Sequence, residues 1–317
     1  MANIVNAIKK LRYQWTLYLL LLPTVMLVLI FRYIPSIGAI KYSFYRWDGA
    51  FIEEYRGLEN YVHAFFHDPL FWHSFALVFL LLFFNIIKMW PSIFTAVLVH
   101  RVKSDRWQYV YRVLFVIPMI IPSIVGLLIW KSFYDPTVGI LNKILDETGL
   151  MNLLIWLDEH YLHWNAFVGG HPAWLAHTKL IIPAVIFWGF PWIGVVGVLI
   201  YLAGLQNISQ EIYEAGKLDG LSWWGKFRHL EFPLIMTQVR LNLILLTIGT
   251  LTDYGFFLIL LGPEGGPGNV GMVPGLYMFR EGFYGQRYGY ACALGMILFV
   301  IIMIITIFYQ KVVRVEK

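Results

Sequence analysis

The sequence predicts an all-α, polytopic membrane protein. Hydrophobic residues make up 59% of its 317 positions against about 45–50% in soluble proteins, and charged residues only 14% against about 25%. The apolar residues also gather into runs of about 20, the length that crosses a bilayer as a helix. A water-soluble globule is thereby excluded. So is an outer-membrane barrel, whose strands alternate apolar and polar residues.

Six spans are expected, near 15–34, 72–99, 112–133, 180–204, 233–261 and 288–310. The first follows Lys9, Lys10 and Arg12 but lacks a small-x-small cleavage site, so it reads as a retained signal anchor. The resulting organisation is an N-tail 1–14, a transmembrane domain 15–310 that includes a long loop at 205–233, and a C-tail 311–317. Six spans put both termini on one side, and charge chooses which. The tails, the loop 100–112 and the loop 205–232 carry 13 basic and six acidic residues, whereas the opposite side carries 9 basic and 12 acidic. By the positive-inside rule the termini face the cytoplasm. The net charge of +5 is then topological and implies no nucleic-acid partner.

Pro23, Pro91, Pro118, Pro122, Pro183 and Pro191 lie in or beside spans, each freeing a carbonyl that hydrocarbon cannot solvate. Such helices must be packed against partners, either for ordinary close packing or so that they bend during a transport cycle. The single cysteine, Cys292, falls in an apolar run and reads as a small buried hydrophobe.

The loop 205–232 is too long and too amphipathic for a plain connector. Asn207 followed by Gln210 reads as a helix start, with Glu211 and Glu214 in the first turn opposing the positive helix end. Asp219 and Gly220 then break the helix. Ser222 can cap a second short helix, and Pro233 suits the first turn of the next span. The product is a compact two-helix knob at the membrane face.

Glu214, Ala215, Gly216, then Gly220 after three residues, then Leu230, Glu231, Phe232 and Pro233 after nine more, resembles the EAA loop of ABC importer permeases. The pattern there is Glu-Ala-Ala, three residues, Gly, nine residues, Ile, any residue, Leu-Pro. All spacings agree; Gly216, Leu230 and Phe232 depart in residue type, and Gly216 slightly weakens the first helix. The resemblance extends further. Gly57, Leu58, Asn60, Tyr61, Asp68, Pro69 and Phe71 look like the approach to the second span in sugar-type permeases. Pro118, Pro122, Trp130, Asp135, Pro136, Gly139, Leu141 and Asn142 look like the third span and its following turn. Leu202 to Leu205, Gly265 to Pro267 and Gly289 to Ala291 match the later landmarks.

The resemblance implies a type I ABC importer permease fold in a bacterial cytoplasmic membrane, serving a carbohydrate importer of the branch that handles oligosaccharides and polysaccharide fragments. It implies a second homologous permease subunit, two ATPase subunits that carry ATP and Mg, and a periplasmic or extracellular solute-binding protein. The knob, represented by Glu211, Glu214, Ala215, Gly216, Asp219, Gly220, Phe227 and Pro233, would seat in a groove of the ATPase. This chain would hold no cofactor and perform no covalent chemistry. One decoy supports that division: Gly220, Gly225 and Lys226 imitate a phosphate loop, but Phe227 stands where Ser or Thr must ligate magnesium.

In the fifth span Asn242, Gly249, Asp253 and Phe256 recur on one helical face, with Thr250 and Tyr254 beside it. An ionisable group inside a span faces a partner or a water-filled cavity, so this face is the candidate substrate path, with a buried structural hydrogen bond as the alternative. Along straight helices Lys88 and Asp253 lie about 12 Å apart in depth, so they are not expected to pair. The segment 134–179 holds Tyr134, Trp156, Tyr161, Trp164 and Trp174, read either as an interfacial aromatic belt or as a landing surface for the binding protein. His160 and His163 lack an evident third ligand, so no metal site is expected. The rival function is a stand-alone ion-coupled secondary transporter using Asp253 or Lys88 as its coupling group. Such a carrier would have no use for the knob.

Overall fold

A computed structural model describes residues 15–167 and 170–312, so the expected N-tail and residues 313–317 of the C-tail lie outside the described residues. The described residues are mostly helical, and their only strands form one short hairpin. Among the described residues three helices are long and apolar enough to cross a membrane, and six when each sharply bent pair counts as one span. Two compact units are formed, one from the residues up to His67 with Glu281–Ile297, the other from Asp68–Arg280 with the segment after Ile297.

In the first unit the helix Trp15–Tyr42 runs on past its expected end at 34. Pro35 has no N–H to give, and the ladder absorbs the loss in a wide π-turn at Leu29–Tyr33 instead of breaking. A hairpin follows, pairing Tyr45 with Tyr55 and Trp47 with Glu53. Asp48 closes its turn by accepting the N–H groups of Ala50, Phe51 and Ile52 at 2.9 Å each. The bonds from Ala50 and Ile52 hold its carboxyl below the usual carboxylate range. Asn60 Nδ2 donates to the carbonyls of Ser43 and Tyr45, tying the hairpin to the turn before it.

The second unit opens at Asp68, whose Oδ1 accepts the N–H groups of Leu70 and Phe71 and caps the helix Pro69–His100. Tyr277 donates its hydroxyl to the other carboxylate oxygen of Asp68. Three expected spans are interrupted. In 112–133 the chain bends by 85° between Asp105–Ile120 and Ser123–Phe133, because Pro122 drives Ile121 out of the helical region. In 180–204 the helices Ile181–Phe187 and Val195–Gln206 are separated by an irregular stretch holding Gly189, Pro191 and Gly194. In 233–261 the chain bends by 66° at Ile235 and breaks again at Asp253 and Tyr254, between Met236–Thr252 and Gly255–Leu261. Val195–Gln206 is also joined by a 76° bend to Gln210–Leu218. That helix carries Glu211, Glu214 and Lys217 within nine residues, too much charge for hydrocarbon, so the fourth span is built from Ile181–Phe187 and Val195–Gln206.

The segment 134–179 folds around its own core. Tyr134, Leu141, Met151, Phe167 and Trp174 bury together. Trp174 Nε1 donates to Asn142 Oδ1 at 2.8 Å, and the Tyr134 hydroxyl to the Ala184 carbonyl at 2.8 Å. Trp156 and Tyr161 remain exposed.

Candidate functional site

The breaks in the helices create the site. In Pro69–His100 the ladder relaxes at Lys88, three residues before Pro91, which cannot supply an N–H. Lys88 thereby lines the same cavity of about 300 Å³ as Asp253, Thr250 and Phe256. The two charges nonetheless do not form an ion pair. Asp253 Oδ1 accepts the Phe256 N–H at 3.1 Å, and the Lys88 ammonium lies 5.8 Å from the centre of the Trp192 ring. Asn85 donates to Thr250 Oγ1 at 3.0 Å, fixing two more polar groups on the wall. Trp188 meets Phe256 edge-on, their ring centres 4.8 Å apart.

Asn85, Lys88 and Trp188 also line a second, more open cavity of about 610 Å³, together with Asn242, Trp192 and Met119. The irregular backbone at 188–194 is tolerated there because Ser92 satisfies it. Gly194 donates its N–H to Ser92 Oγ at 2.8 Å, and that hydroxyl donates to the Trp192 carbonyl. Asn242 Nδ2 donates to the Tyr201 hydroxyl at 2.6 Å. Of the predicted path, Gly249, Thr250, Asp253 and Phe256 come together on the first cavity and Asn242 joins the second. Tyr254 lines neither cavity and stacks on Phe279, centroids 4.9 Å apart. Asn85, Trp188 and Trp192 were not among the predicted residues and Lys88 was named only as the coupling group of the rival reading; the apolar run NIIKMWP, with a lone cation before a proline, is a signal for Asn85 and Lys88 alone.

The knob lies at 205–233. The helix Gln210–Leu218 starts after Ser209 rather than at Asn207, and it ends where Gly220 adopts a left-handed φ of +73°. Leu221 N–H returns to the Gly216 carbonyl at 2.9 Å, closing the turn. Ser222 Oγ accepts the Gly225 N–H at 3.1 Å, so the second short helix is capped as expected. Phe227 is buried between Phe94, Trp224 and Phe232, which makes it the anchor of the knob. Gly216 is buried, Pro233 is exposed in the turn Phe232–Leu234, and Glu211, Glu214, Ala215, Asp219 and Gly220 are exposed. Leu218, at the tip, is 89% exposed.

A buried ion pair locks this knob to the second span. Glu231 is fully buried, and Arg101 reaches it with two prongs, Nε to Oε1 at 2.9 Å and Nη2 to Oε2 at 2.5 Å. The guanidinium also donates to the Trp223 carbonyl at 3.1 Å and lies 4.3 Å from the centre of the Trp223 ring. Tyr213 forms a hydrogen bond with His100 Nε2 at 3.1 Å, and burial, with Glu231 close by, pushes its phenol up, so it stays protonated. The pairings of Arg101 with Glu231 and of His100 with Tyr213 escaped the sequence reading, which met Glu231 only as the free position of the loop pattern, because 130 and 113 residues separate the partners.

Comparison with known proteins agrees with this construction. Residues 92–314 match the family described as binding-protein-dependent transport system inner membrane component. The diacetylchitobiose uptake system permease protein NgcF of Streptomyces coelicolor is 30% identical over 85% of this chain and 74% of its own. The trehalose/maltose transport system permease protein MalF of Thermococcus litoralis is 29% identical over 98% of this chain and 99% of its own. In fold the chain is similar to a subunit of a bacterial ABC transporter involved in the import of the acidic polysaccharide alginate, with a TM-score of 0.77 at 22% identity and 98% of both chains covered. With the family match covering more than half of its length, this chain belongs to the inner membrane components of binding-protein-dependent transport systems.

Proposed function

We propose that this chain is the membrane-spanning permease subunit of an ATP-driven, solute-binding-protein-dependent importer of carbohydrate, carrying oligosaccharides or polysaccharide fragments by alternating access. Its assembly would contain a second, related permease, two ATPase subunits that hold ATP and Mg, and a binding protein outside the membrane. Its termini would face the cytoplasm. The sugar-transport systems named for its relatives support the cargo class.

The observation that carries the coupling role is the knob: small at Ala215, Gly216 and Gly220, apolar at an exposed Leu218, yet fixed to the second span by a buried ion pair. A free connector needs no such anchorage. A rigid handle does, since closure of the ATPase pair must move the spans and not merely bend a loop. A stand-alone ion-coupled carrier is disfavoured for the same reason.

The test is uptake of labelled oligosaccharide into proteoliposomes that contain the chain with its native partners. Gly220→Trp is expected to abolish sugar-stimulated ATPase activity and uptake. Gly220 has open space around it, so Gly220→Ala isolates the backbone cost of its left-handed φ, on the order of 1–2 kcal/mol, and is expected to keep most activity. Full activity in the Trp variant, or uptake driven by an ion gradient without ATP, overturns the reading.

A further inference from the structure

Lys88 is a cation placed where cations are costly. Counting 1.5 Å per residue, it lies about 18 Å from the end of its helix at His100, farther than a lysine stem can snorkel. Among the described residues no carboxylate comes within 4.0 Å of its ammonium, although Asp253 lines the same cavity. Asp253 instead turns one oxygen onto the Phe256 N–H. A cation and an anion that share a cavity without pairing form a site for a ligand that brings a partner to each. Around them stand Asn85 and Thr250, and the edge-on aromatic pair Trp188 and Phe256.

We infer that this cavity is built for oligosaccharides that carry uronic acids: the ammonium of Lys88 receives the sugar carboxylate, while Asp253, Asn85 and Thr250 take its hydroxyls. A neutral sugar satisfies the hydroxyl acceptors and leaves the ammonium without an anion. An amino sugar suits Asp253 and is repelled by Lys88. Only a sugar with both a carboxylate and hydroxyl donors answers every group on the wall. The inference rests on the carbohydrate reading above and narrows it.

The experiment measures equilibrium binding to the complete importer purified without its binding protein, so that the binding protein's own selectivity does not enter. The probes are trigalacturonate, its methyl ester, maltotriose and fully deacetylated chitotriose. Trigalacturonate is expected to bind about 10- to 100-fold more tightly than its methyl ester, the range of one charge-assisted contact. In Lys88→Gln that preference is expected to vanish; Lys88→Arg is expected to keep it. The ester comparison uses the wild-type protein, so it stands even if the variants fail to assemble. Equal binding of acid and ester, a preference for maltotriose or chitotriose, or an unchanged preference in Lys88→Gln overturns the inference. Maltotriose binding without trigalacturonate binding leaves the carbohydrate reading intact, and binding of no probe at all takes both down.

Discussion

Gly216 and Leu230 face each other across the knob: a Cβ built on Gly216 would stand 2.7 Å from Leu230 Cδ1 and 3.2 Å from Leu221 Cδ1. These are two of the three positions at which the loop departs from the EAA pattern, which has Ala and Ile there. The structure shows one departure making room for the other. Gly216→Ala should gain about 1 kcal/mol of helix propensity and lose about 1–3 kcal/mol to crowding. The single variant is therefore expected to be neutral or mildly destabilised, and the double variant with Leu230→Ile more stable than the sum of the singles. Thermal unfolding of the purified complex in a double-mutant cycle measures this; strict additivity would show that the pair is not coupled.

The Arg101–Glu231 pair leads to a larger expected effect. Removing one member of a buried, two-pronged pair leaves the other charge uncompensated, at a cost of about 3–5 kcal/mol. Glu231→Gln and Arg101→Met should each lower the unfolding temperature of the complex by several degrees and uncouple ATP hydrolysis from sugar. Arg101→Lys should rescue poorly, since an ammonium cannot copy the fork. Glu214→Gln, at an exposed site, should leave the unfolding temperature unchanged. Equal stability of the Glu231 and Glu214 variants would show that the pair is not what anchors the knob.

What was legible in the sequence follows from the range of the forces involved. Span positions depend on local apolar content, and the six expected spans all have helical counterparts. Ser222 as a cap and Gly220 as a break were legible because each acts within three or four residues. The interruptions were only half legible: prolines marked 122 and 191, but Asp253 ends its helix without a proline or glycine at that position. The convergence of Lys88 with Asp253 and the grip of Arg101 on Glu231 depend on packing between distant spans, and no local pattern encodes it. An acid two residues before a proline in the apolar run LEFPLI was the one available hint at Glu231.

Asp158 provides a pH test for the segment 134–179. It is 3% exposed; burial pushes its carboxyl up, but N–H bonds from Trp164, Ala166 and Phe167 outweigh that and leave it below the ordinary value. The unfolded state then binds the proton more readily than the folded one. The stabilisation is therefore complete above the unfolded pKa of about 3.9 and is lost as pH falls through the lower folded value. Asp158→Asn should be less stable than wild type at neutral pH, with the gap closing below about pH 4. Hydrogen exchange at 164–167 across that range measures it; a gap that stays constant with pH would remove the carboxylate from the account.

Gly275 tests whether the break at Asp253 must be held from behind. A Cβ there would stand 2.9 Å from the Thr252 carbonyl and 3.0 Å from that of Asp253, and these backbone atoms cannot swing aside like a side chain. The helix Pro274–Phe279 therefore fits only with glycine at this point, and its approach fixes the residue that aims a carboxylate at the cavity wall. Gly275→Ala should cost about 1–3 kcal/mol of stability through crowding and lower uptake by shifting Asp253, although residue 275 itself lines neither cavity. Asp253→Ala should lower uptake with little loss of stability, since the carboxylate contributes one exposed hydrogen bond to the fold. If Gly275→Ala transports normally while Asp253→Ala does not, Asp253 acts in the cavity without needing this support. If both transport normally, the carboxylate serves only to start the helix Gly255–Leu261.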